Sequence, residues 1–181
     1  MASTTPPNLA GGPLFRRSDL SHERFCEAWH RHAKIVMPWC LRFGVWEYVQ
    51  IHMPSPSPSN PQTEDEDPTK ETGIGSEHLE EARKMLRRAD GVAIMRRYQV
   101  STESGNKYFK EKVLVDERTF LHDESGAGAV VGEVPVFDVP VLDVDVWRRL
   151  ALEIGGVEYV KIRDGKDVVG GVEVKEDEWE G

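Results

Sequence analysis

An α+β fold is what this sequence predicts, and three stretches predict it. Ser21–His52 carries a helical period followed by an alternating one, Ser76–Val100 repeats that order, and Asp145–Val174 does so again, with a hairpin signal at Asp164-Gly165. With 181 residues, 39% of them hydrophobic, the chain can bury roughly 70% of its unfolded surface, enough for one core with appendages.

Ser21 can cap the first helix, Glu23 sits where the helix dipole favours a negative charge, and Phe25, Trp29, His32 and Val36 recur along one face. Met37 precedes proline, and a pre-proline residue avoids the helical region, so the helix is expected to end or kink there. Val45–His52 reads as a strand with Val45, Glu47, Val49 and Ile51 on one side and Trp46, Tyr48, Gln50 and His52 on the other. Downstream, Leu79, Ala82, Leu86 and Ala89 mark an amphipathic helix, Gly91–Val100 a strand, Lys107–Val115 a short helix and Ala127–Phe137 another strand.

Residues 1–13, rich in Ser, Thr, Pro and Gly without a period, are expected to be disordered, and Leu14–Arg17 to be no more than the end of a short strand. Pro54 opens a proline-rich, then acidic tract that reads as a flexible insertion over 54–75. Residues 141–181 read as a separate extension, in which Asp145 caps a helix over Val146–Ile154 and a hairpin follows. A single domain over 14–140, interrupted but not divided by the insertion, is the expected organisation.

The formal net charge of −9 argues against nucleic acid or an anionic membrane as partner, since both need a basic footprint. Cys26 and Cys40 have no paired spacing that suggests zinc or a redox motif, and a reducing, cytoplasmic setting is expected. No run is long and apolar enough to span a bilayer, and the first residues have no leader pattern.

Taken together, Trp29-His30-Arg31-His32-Ala33, Pro38-Trp39, Tyr48-Val49-Gln50-Ile51-His52, Asp90-Gly91-Val92-Ala93, and Phe109 through Asp116-Glu117 to Phe120 resemble the EthD domain family. The resemblance covers roughly Leu14–Pro140. It implies a ferredoxin-like antiparallel sheet with helices on one face, paired with a second copy as a dimeric α+β barrel. Fungal members of the family often serve polyketide pathways, and some resemble decarboxylases or dehydratases. The chain departs from the family in lacking a long apolar first strand, and in having Ala33-Lys34-Ile35 where many members have Gly-Pro-Leu.

Decarboxylation of a β-keto acid and loss of water from a β-hydroxy ketone both build negative charge on a carbonyl oxygen, so each needs a donor and a group that moves protons near neutrality. Histidine suits both tasks. On pattern alone, a histidine on an apolar helix face is a hydrogen-bonded core residue. The resemblance implies more for two of them, giving His32 and His52 as acid/base or oxyanion partners and Tyr48 as a donor. Trp29, Trp46, Phe109 and Phe120 would wall a planar substrate, Gln50 would contact it, and Asp116 could orient a histidine. His30 and His32 point about 200° apart on a helix and cannot hold one ion, so no metal is expected, and no cofactor.

The expected function is thus a cofactor-free lyase, a homodimer acting on an aromatic polyketide or β-keto acid. The same barrel supports a cofactor-free monooxygenase or a cyclase. A non-catalytic accessory protein for a partner oxygenase is the alternative of another class.

Overall fold

The computed structural model describes residues 8–55, 76–97, 106–122 and 142–172. The chain is an α+β protein with a five-stranded antiparallel sheet ordered β1-β3-β2-β4-β5, built from β1 (Asn8–Leu14), β2 (Val45–His52), β3 (Gly91–Arg97), β4 (Val157–Arg163) and β5 (Lys166–Asp167). Four helices are described. They are α1 (His22–Arg42), α2 (Ser76–Leu86), α3, which runs through Asn106–Tyr108, a π-helical turn at Phe109–Val113 and Leu114–Glu117, and α4 (Val144–Glu153). None of the described helices is long and apolar enough to cross a membrane. The expected strand Ala127–Phe137 and nearly all of the 54–75 insertion lie outside the described residues.

The helices cover both faces of the sheet, which corrects the expectation of helices on one face. Tyr48 and Ile162 pack with Ala33, Val36, Met37 and Cys40 of α1, whereas Val49, Ile51, Val92 and Ile94 pack with Ala82 and Leu86 of α2 and with Trp147 and Leu150 of α4. Alternation along a strand sends neighbours to opposite faces, and both sets are apolar here. The face on which a barrel-type partner would sit is therefore covered from within the chain.

Residues 8–14 form a full strand where disorder was expected, pairing with β3 from Asn8↔Arg97 to Leu14↔Gly91. The backbone ladder to β3 holds it in place. A Cβ at Gly11 would come within 2.4 Å of the Ala93 carbonyl oxygen, so the closeness of the two strands requires glycine. Buried Asp90 then joins three segments: it accepts from the Arg16 backbone N–H at 2.9 Å, pairs with the Arg16 guanidinium, and lies 2.9 Å from His22 Nδ1 at the start of α1.

Ser21 caps α1 by accepting from the Arg24 N–H. The helix then runs past Pro38 to Arg42 rather than ending at Met37, because Met37, Pro38 and Cys40 are all buried on the sheet side, and that packing offsets the lost backbone bond. Gly44, at φ 69°, makes the turn into β2. In the tail the cap of α4 is Asp143, whose side chain accepts from the Asp145 N–H at 2.8 Å, two residues before the expected position. Asp164 and Gly165 form the hairpin turn with φ of 52° and 70°.

The tail is not an appendage. Strand β4 pairs with β2 along Glu47–His52, and Arg148 of α4 bonds Glu158 at 2.6 Å and Glu47 at 3.1 Å. Two register irregularities alter the side-chain directions. One, between Val45 and Glu47, leaves Val45 with α1 and puts the Trp46 ring beside Arg96, 5.7 Å away, so Trp46 leaves the face of Tyr48, Gln50 and His52. The other skips Lys161, so that Lys161 and Ile162 both face α1.

At Gly91 α1 comes close against the sheet, since a Cβ there would fall 2.3 Å from Cζ3 of Trp29. Gly91→Ala is expected to destabilise the fold by about 1–3 kcal/mol through overpacking, read as a lowered urea midpoint with an unchanged m-value.

Candidate functional site

Two separate polar clusters flank α1, one against α3 and one against the sheet, and each holds one of the expected catalytic histidines. Their different surroundings give them different chemistry.

The first cluster surrounds His32. Its ring is buried against Phe120, with centroids 5.1 Å apart, Nδ1 donates to Asp116 Oδ2 at 2.7 Å, and Nε2 faces Glu117 Oε1 at 3.5 Å. Asp116 thus orients the His32 ring. The pairing ties α1 to the end of α3, with a carboxylate at each ring nitrogen. Nearby, Gln50 Nε2 donates to the Tyr48 hydroxyl at 3.0 Å and to the Trp29 carbonyl at 2.8 Å. Burial holds the Tyr48 hydroxyl well above the usual phenol range, against hydrogen bonds from Gln50 and Trp29 that favour ionisation. It is a poor proton donor that is already engaged.

The second cluster surrounds His52, at the end of β2. Its ring stacks on Trp29 at 4.7 Å and 21°, and meets Tyr159 nearly edge-on at 4.9 Å. Centroid separations put His30 6.2 Å from His52 and 5.5 Å from Tyr159. Lys161 Nζ donates to His30 Nδ1 at 2.9 Å and lies 5.5 Å from the Tyr159 ring centroid. Helix α1 thus supplies Trp29 and His30, β2 supplies His52, and β4 supplies Tyr159 and Lys161, the last turned inward by the bulge.

Lys161 is 1% exposed, and among the described residues no carboxylate pairs with it. Burial alone brings its amine from 10.5 down to about 8. Burial likewise pushes His52 down to about 4, helped by His30, Lys161 and His22, and lowers His30. Both imidazoles are therefore neutral at pH 7. Gln50 Oε1 and His52 Nε2 are buried without a hydrogen-bond partner among the described residues. An orphaned buried polar atom costs about 1–3 kcal/mol, which a bound polar group would recover.

His32 projects from α1 and His52 lies on β2 beneath it, yet their ring contacts are disjoint, and Phe25 and Trp29 stand between them. Tyr48, Gln50, Trp29, Phe120 and Asp116 gather around the buried interface. Trp46 and Phe109 do not join them. Trp46 is six strand residues before His52, about 20 Å at strand rise, and lines a 330 Å³ surface cleft with Leu41 and Asp164, while Phe109 packs on Trp39 at 5.0 Å. Among the described residues no group of three or more His, Cys, Asp or Glu side chains is arranged to hold a metal ion.

Sequence reasoning missed Lys161, Tyr159 and His30. His30 was weighed only as a metal ligand, and the other two belong to a tail that the resemblance does not cover. One signal was present: in Val157-Glu-Tyr-Val-Lys-Ile-Arg163 the apolar positions shift from odd to even midway, as a bulge requires.

Because His52 titrates at about 4 in the folded chain and near 6.5 unfolded, the unfolded state takes up a proton first as pH falls. His52 therefore contributes a stability loss between pH 6.5 and 4. His52→Leu is expected to flatten that part of the profile, measured as the change in urea midpoint from pH 7 to 5. Nothing matches this chain in comparisons with protein-family models, curated proteins and solved structures.

Proposed function

We propose that the chain is a cofactor-free lyase acting on an aromatic β-keto acid of the polyketide type, with its chemistry at the His52 cluster. The observation that carries this reading is the buried Lys161 amine, which among the described residues has two neutral imidazoles and an aromatic ring around it and no carboxylate paired to it. A cation so placed favours an anionic guest. A β-keto acid is an anion and a β-hydroxy ketone is not, so decarboxylation fits better than dehydration.

Trp29 and Tyr159 offer the flat walls a planar guest needs. His52, neutral and with a buried unpartnered nitrogen, can hydrogen-bond a carbonyl oxygen as charge builds there. The split β-α-β arrangement supports the resemblance to EthD domains, with β3 lying antiparallel between β1 and β2 and α1 joining them.

Benzoylacetate is a suitable probe, with carbon dioxide release as the readout. His52→Ala is expected to lower kcat by about 10²-fold or more, in the range a positioned histidine supplies. Equal rates for the wild type and this variant would remove the site, and a product carrying oxygen from labelled O₂ would favour a monooxygenase instead.

A further inference from the structure

We infer that Lys161 is a covalent catalyst, whose Nζ condenses with the ketone of the keto acid to form an imine; this rests on the lyase reading above. Three placements support it. The amine is buried with no carboxylate paired to it, its hydrogen bond runs to His30 Nδ1 at 2.9 Å, and a strand irregularity turns it toward α1. A structural lysine is ordinarily neutralised by a carboxylate or extended to solvent, and this one is neither. The His30 side chain that bonds it is exposed, so the amine lies one side chain below the surface.

Desolvation at this position leaves about a tenth of the amine neutral at pH 7, roughly three-hundredfold more than for an ordinary lysine. The titratable groups around it are His30 and Lys34 from α1, His52 from β2 and Tyr159 from β4.

The steps balance without an oxidant or reductant. His30 Nδ1 accepts a proton from the amine, and the freed lone pair attacks the ketone carbon to give a carbinolamine. Its hydroxyl takes that proton back from His30 and leaves as water, forming an iminium. The bond to the carboxylate carbon then breaks, its electron pair moves toward the nitrogen, and carbon dioxide departs from an enamine. The enamine carbon takes a proton from solvent through His30, and hydrolysis then releases the methyl ketone and restores the amine.

Borohydride reduction in the presence of benzoylacetate is the test, with intact mass and peptide mapping alongside carbon dioxide release. The expected result is a gain of one 1-phenylethyl group on Lys161, absent in Lys161→Met, and turnover lowered at least 100-fold in Lys161→Arg, which keeps the charge but not the nucleophile. Carbon dioxide release without an adduct at Lys161, or an arginine variant within tenfold of wild type, would overturn the imine and leave the lyase reading standing. An adduct at Lys161 without carbon dioxide release would uphold the amine's reactivity and overturn the lyase reading. Neither signal would overturn both.

Discussion

The contact of Trp29 with the bare Cα of Gly91 sets the distance between α1 and the sheet, and with it the positions of the groups beneath the helix. The indole reaches the strand because no side chain stands in the way. With the helix at that depth, the Trp29 carbonyl accepts from Gln50 and its ring lies flat on His52. Phe25 and Phe120 close the other side. A larger residue at position 91 would change several geometries together, since they share one spacer.

The two histidines show how environment decides a side chain's work. His32 has a carboxylate at either nitrogen and an aromatic ring alongside, which makes it a joint between α1 and α3. His52 has aromatic rings, another imidazole and an amine for neighbours, and burial keeps it uncharged. The pairs that perturb the second cluster are all neutral or positive. Such an arrangement is costly for the fold alone, which is why it points to a ligand.

Much of the fold could be read in the sequence because periodicity reports burial. Val45–His52 and the helix over Ser76–Leu86 follow directly from it. Strand β1 could not be read that way, since Gly11, Gly12 and Pro13 carry no pattern and the strand exists through its ladder to β3. Helix α1 continues through Pro38 because packing outweighs local preference. The tail was legible as helix and hairpin, but not as the neighbour of β2, because strand order is a long-range property. That gap concealed Tyr159 and Lys161. Gln50 and Asp116 could be named from sequence since the resemblance covers them, and Lys161 could not.

Strand β4 brings Tyr159 and Lys161 to the His52 cluster from the last fifth of the chain, while α1 and β2 supply Trp29, His30 and His52 from its first third. The order of assembly follows. During synthesis β1, α1, β2 and β3 emerge first, and Lys161 meets His30 only when β4 pairs with β2. A half-made chain therefore lacks the buried lysine, and the His30 ring gains its hydrogen-bond partner only when the sheet is complete.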